Sequence, residues 1–232
     1  SMKMYPLKSS RLSKTREPRE GFCKFPRSVR EIERSHEARV HGVGINDADY
    51  LVNPTHGGRT IQCRAYRTWR NMLARCYSPV FHATHPSYYD CSVDPQWFRF
   101  SNFAEWFSQQ KTTNRVLDKD LIVPGNRIYS PVTCIMLPSR VNALFTSSKG
   151  RGALPRGVDV ARGKRKKKFR AQLDINGKRV TLGYFQKSED AEICYADSKA
   201  SLIRSLYQEL RDEDSRLIPA LERAAKALTE NR

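Results

Sequence analysis

The stretch VLDKDLIVPGNRIYSPVTC, residues 116–134, gathers side chains that could do hydrolytic chemistry. Asp118 and Asp120 flank Lys119, a Gly125-Asn126 turn follows, and Ser130-Pro131 and Thr133 close the run. Carboxylates so placed can hold Mg²⁺, and hydrolysis then needs a base to take a proton from water. Lys119 suits that task poorly. Lysine keeps its proton near neutral pH unless strongly desolvated, and two neighbouring carboxylates favour the charged form. It could instead stabilise charge in a transition state, with His82 or His85 from an earlier loop as the base. Thr133 is a weaker metal ligand than an amide oxygen or an imidazole. Loss of a general base alone costs ~10²–10⁴ in rate.

These residues need a strand through 116–118, a turn at 125–126, and a short helix or turn followed by an apolar segment across 130–145. Upstream, Tyr66, Trp69, Met72, Leu73 and Cys76 recur at spacings of three and four, so 64–78 reads as an amphipathic helix. Phe100, Phe103, Ala104 and Phe107 share one face of a second helix, with Ser101 as its expected N-cap. Their helical period marks these aromatics as core rather than as a base-stacking platform. The cysteines at 23, 63, 76, 91, 134 and 194 form no CxxC pair and read as reduced thiols of a cytoplasmic protein. A zinc set drawn from Cys63, Cys76, His82, His85 and Cys91 matches no common ligand spacing.

Charge narrows the partner class. Lys and Arg number 42 against 24 Asp and Glu, a formal net charge of +18, which favours a polyanion. A membrane is excluded as that partner. No apolar run is long enough to span one, and the basic stretches lack the amphipathic pattern of an interfacial helix. The N-terminus has no apolar core of a secretory signal. Residues 1–35 carry ten Lys/Arg and four Asp/Glu, an arm that could lie along a phosphate backbone or simply solubilise the chain.

The second basic region has strand patterning. From Lys149 to Arg179 there are twelve basic and two acidic residues. Within it FRAQLDI alternates, Phe169, Ala171, Leu173 and Ile175 on one face and Arg170, Gln172 and Asp174 on the other. Asn176-Gly177 predicts a tight hairpin, and KRVTLGYF the returning strand with Arg179 and Thr181 outward. Ser188, followed by Glu189 and Asp190, predicts a helix start. The result is a small antiparallel sheet with a helix on one face. Its open face suits the DNA major groove, and Lys164, Lys166 and Lys168 of the loop GKRKKK would reach phosphates.

The segment GVDVARGKRKKKFRAQLDINGKRVTLGYFQKSEDAEICYADSKA resembles the AP2 DNA-binding domain. The chain before it, through GVGINDADYLV, YRTWRNMLARCYS and LDKDLIVPGNRIYSP, resembles the HNH region of phage homing endonucleases. Together the likeness covers roughly residues 41–205. It implies an α+β protein with four segments: a basic N-terminal arm (1–40), an HNH-like ββα region (41–148), an AP2-like three-stranded sheet packed on a helix (149–211), and a C-terminal helix (212–232). By resemblance the sheet docks in the major groove through Gln172, Asp174, Arg179 and Thr181. Asp159 and Ala161 stand where the family favours basic and aromatic contacts, a departure that bears on the target sequence and not on the docking mode. The HNH pattern assigns Asp118 to the metal and matches Asn126 to the turn asparagine, but has Lys119 at the base position and Thr133 at the helix-ligand position. The expectation is a sequence-specific double-stranded DNA-binding protein of phage or mobile-element origin, working in the host cytoplasm. It would occupy a site as a repressor, without cleavage and without a cofactor. The alternatives are an active Mg²⁺-dependent homing nuclease or nickase using Asp118, Lys119 and Asn126, and an RNA or ribonucleoprotein factor.

Overall fold

The computed structural model describes residues 25–146, 154–163 and 166–230. The chain is mixed α+β with several small sheets. It divides into two compact units, Ser1–Lys111 and Thr112–Arg232.

In the first unit, helix α1 (Val29–Glu37) starts at a capping box in which Ser28 and Glu31 satisfy each other's backbone N–H. A hairpin of β1 (Thr55–His56) and β2 (Arg59–Thr60) turns through Gly57 and Gly58 and leads into α2 (Arg64–Tyr77). The periodic residues of α2 are buried as their spacing requires. Helix α3 (Pro79–Thr84), a short extended segment β3 (Ser92–Val93) and α4 (Phe100–Ser108) follow. Phe100, Phe103 and Phe107 are core residues. Trp69 Nε1 donates to the Trp97 carbonyl at 2.6 Å, so a buried indole N–H is satisfied inside the aromatic cluster.

Ser101 does not cap α4, whose N-cap is Arg99. The orphan amide of Ser101 is met instead by Asp47 Oδ1 at 2.8 Å, while Ser101 Oγ donates to Asp47 Oδ2 at 2.7 Å. A remote carboxylate does what a local hydroxyl was expected to do.

In the second unit, β4 (Arg115–Asp118) is separated by the short β5 (Ile128–Tyr129) from its antiparallel partner β6 (Ile135–Pro138), with Asp118 opposite Ile135. Residues 131–133 form a turn, and helix α5 (Ser139–Phe145) starts only after β6. The three-stranded sheet runs β7 (Val158–Val160), β8 (Phe169–Ile175), β9 (Lys178–Phe185), all antiparallel neighbours in that order. Asn176 and Gly177 both take positive φ, as a type I′ turn demands. Gly157 enters β7 at φ +78, where an added Cβ would sit 2.1 Å from the Tyr195 ring, so this position excludes a side chain twice over.

Helices α6 (Ser188–Ser205), α7 (Tyr207–Leu210) and α8 (Leu217–Glu230) complete the unit. Ser188 is the first residue of α6 rather than its cap, which is Lys187, while Glu189 and Asp190 occupy the first turn as expected. Pro219 falls in the first turn of α8, where its missing N–H costs nothing.

Helix α6 has two apolar sides. Ala191 and Tyr195 pack with Val158, Ala171 and Leu173 of the sheet. Ala200 and Ile203 pack with Ile135, Leu137 and Val141 and with Leu217 and Leu221 of α8. The β4–β6 hairpin and the three-stranded sheet, which the sequence segments as 41–148 and 149–211, therefore share one unit through this helix. Among the described residues no helix is long and apolar enough to cross a membrane.

Candidate nucleic-acid interface

Strict alternation along β8 and its register with the neighbouring strands set the open face of the sheet. Ala171 and Leu173 are buried beneath it. On the outer side three cross-strand rows form: Asp159, Arg170 and Tyr184; Gln172 and Thr181; Asp174 and Arg179. The expected residues Arg170, Gln172, Asp174, Arg179 and Thr181 are thus brought onto one surface. A register shift between Ala171 and Gln172 adds twist between the first row and the others. Lys166 and Lys168 are exposed beside the start of β8, and Lys164 lies outside the described residues.

The face is internally paired. Arg179 donates from Nε to Asp174 Oδ1 at 2.8 Å and from Nη2 to Oδ2 at 2.7 Å, with both side chains more than half exposed. The guanidinium holds the Asp174 carboxyl below the usual carboxylate range. Arg170 Nη2 lies 3.5 Å from Asp159 Oδ2, and its Nε is a buried donor without an acceptor. Gln172 Nε2 reaches Thr181 Oγ1 at 3.4 Å. Asp159 stands on this face at the first-strand position the resemblance marked, and Tyr184, which was not expected there, is found by register, because each lies directly opposite Arg170. Ala161 is buried, and its amide bonds the Lys168 carbonyl at 2.7 Å.

The chemistry-bearing loop of the second unit is equally committed. Asp118 Oδ1 accepts from the amides of Asp120 at 3.0 Å and Leu121 at 2.8 Å, closing the turn after β4. Burial pushes the Asp118 pKa upward despite those two donors. Lys119 is 5% exposed, the reverse of an accessible base. Its ammonium bonds Asp120 Oδ1 at 2.5 Å and the Asn126 carbonyl at 2.8 Å. Asn126 Nδ2 bridges the carbonyls of Lys119 and Ile128, and its Oδ1 accepts from the Ile128 amide. Thr133 Oγ1 donates to the Ile128 carbonyl at 2.8 Å. Burial pushes the Cys134 thiol up to about 12, so it stays protonated at neutral pH.

The loop thus carries its own fixed cation, the Lys119 ammonium, and spends its polar side chains on its own backbone. Among the described residues no group of three or more His, Cys, Asp or Glu is placed to hold a metal ion. Asp118 Oδ1, Asp120 Oδ1, the Asn126 amide and Thr133 Oγ1 are each hydrogen-bonded within the protein. In the first unit Cys63, Cys76 and Cys91 are buried, His82 Nε2 bonds the Arg75 carbonyl, and His85 stacks on Phe81 at 4.3 Å.

No protein-family model, no curated protein and no solved structure matches this chain.

Proposed function

We propose that this protein binds double-stranded DNA sequence-specifically through the open face of the β7–β8–β9 sheet, and that it does not cut. The observation that carries the reading is the sheet itself. One face is packed on α6, while the other displays Arg170, Gln172, Asp174, Arg179 and Thr181 beside exposed lysines. A ribbon of this width enters the major groove, where Arg pairs guanine and Gln pairs adenine edges. Lys166 and Lys168 then fix register on phosphates without reading sequence.

Non-cleavage is supported by the commitments of Asp118, Lys119, Asn126 and Thr133 to the loop they stand in. On this reading the protein occupies a site, as a repressor or a block to other machinery does, in a phage or mobile-element setting. The test is selection of bound duplexes from a random library with and without Mg²⁺, scored for retention and for cleavage. Enrichment of one motif with intact strands is the expected result. Absence of any enriched motif, or Mg²⁺-dependent strand breaks at it, overturns the reading.

A further inference from the structure

The forty residues from Tyr50 to Tyr89 contain no Asp or Glu and five arginines: Arg59, Arg64, Arg67, Arg70 and Arg75. Four of these lie on α2, and three of them, Arg64, Arg67 and Arg70, stand against the rules for a stable isolated helix, while Arg75 suits the last turn. Arg64 and Arg67 occupy the first turn, where the helix dipole favours negative charge, and that turn has no acidic residue and no side-chain cap. The pairs Arg64/Arg67 and Arg67/Arg70 place like charges at i, i+3, which destabilises a helix. The packing of Tyr66, Trp69, Met72 and Leu73 holds α2 in place regardless. A local rule broken by three arginines in two successive turns points to a role outside folding.

The outward stripe is Arg67, Arg70, Asn71 and Ala74, at i, i+3, i+4 and i+7, with the first three exposed. Among the described residues the Arg70 and Asn71 side chains have no hydrogen-bond partner, and the Arg67 guanidinium reaches only the neutral Gln62 oxygen, at 3.3 Å. Arg59, on the exposed hairpin that feeds the helix, adds a cation on the approach.

We infer that this stripe is a second nucleic-acid contact, in which α2 lies in the major groove of duplex DNA. Arg67 and Arg70 meet phosphate or guanine, Asn71 meets adenine N6 and N7, and Ala74 lets the helix come close. A membrane is the wrong partner, because the apolar face that would enter lipid is the buried core face of α2. An RNA helix is wrong as well, since its major groove is too deep and narrow to admit an α-helix. The surface lies wholly within the first unit and needs nothing from the sheet face.

The experiment uses the full chain, the duplex recovered by site selection and a random-sequence duplex of equal length. Arg67→Ala/Arg70→Ala/Asn71→Ala is compared with Arg170→Ala/Gln172→Ala/Arg179→Ala by hydroxyl-radical footprinting and salt titration, with circular dichroism to verify folding. The helix-face variant is expected to lose one block of protection while keeping another, and its log K against log salt slope becomes shallower by about 2. Arg67→Lys/Arg70→Lys retains the slope, and Asn71→Ala alone relaxes preference at one A·T pair. A helix-face variant with an unchanged footprint and slope overturns the inference, as does a loss seen only with structured RNA or anionic vesicles. If the sheet-face variant binds normally while the helix-face variant fails, the sheet reading falls and this one stands. The opposite pattern sinks this one alone.

Discussion

Arg179 and Asp174 face each other across the β8–β9 ladder and share two hydrogen bonds, Nε to Oδ1 and Nη2 to Oδ2. A guanidinium has five N–H donors, so this side-on pair leaves its outer edge available. Asp174 in effect aims Arg179 outward from an exposed position, while setting a negative charge close to where phosphates would pass.

Opposite effects on affinity and preference follow for the two partners. Arg179→Ala is expected to weaken the selected site by ~1–3 kcal/mol at one base pair. Asp174→Ala is expected to strengthen binding to random duplex while reducing the preference for the selected site. Competition titrations with both duplexes read this out; a parallel loss in both would show that Asp174 does not aim the arginine.

Asp118→Ala is expected to act on stability, not on chemistry. It strips the acceptor from the amides of Asp120 and Leu121 and should cost about 1–3 kcal/mol in denaturant unfolding. DNA affinity should hold for the folded fraction, and supercoiled plasmid should stay intact with Mg²⁺ or Mn²⁺ for wild type and variant alike. Nicking by wild type that vanishes in the variant would make the loop a nuclease.

Binding should be steeply salt-dependent. If about five phosphates are neutralised, the slope of log K against log salt is about −4 to −5. A flat response across 50–300 mM salt, roughly the range where counterion release dominates, would remove nucleic acid as the partner.

Lys199 gives a pH test. It is 4% exposed, its ammonium meets only Tyr195 Oη at 3.4 Å, and burial with Arg156 nearby lowers its pKa to about 8 from 10.5. Between those values the unfolded chain holds more of this proton than the folded one, so this group's effect on stability improves as pH rises. Below about 8 its penalty is fully present. Lys199→Met should therefore be more stable than wild type at pH 7, by roughly 1–3 kcal/mol. That advantage should shrink toward zero near pH 10.5 in parallel urea titrations.

Where periodicity and turn chemistry agree, sequence and structure coincide. FRAQLDI alternates as a half-buried strand must, Asn176-Gly177 turns it back, and α2 buries the residues whose spacing said it would. Misreadings occur where a distant group decides. Ser101 looked like a cap because Asp47, 54 residues away, cannot be seen from the helix. The apolar run 135–138 is a strand because β4 stands ready to pair it, a fact absent from its own composition. The open sheet face was legible residue by residue, but not its pairing: Asp159 meets Arg170 only through the β7–β8 register. Lys119 could be read as a poor base from its type alone, yet its burial beneath Asp120 and the Asn126 carbonyl follows from the closed loop.

The two-sided packing of α6 bears on how such a chain can be shuffled in evolution. A crossover near residue 149 would graft the sheet and α6 onto a foreign partner, yet Ala200 and Ile203 would arrive without Leu137 and Val141 to cover them. Residues 149–211 are therefore no self-sufficient cassette, because α6 ties the three-stranded sheet, the β4–β6 pair and α8 into one core within 112–232.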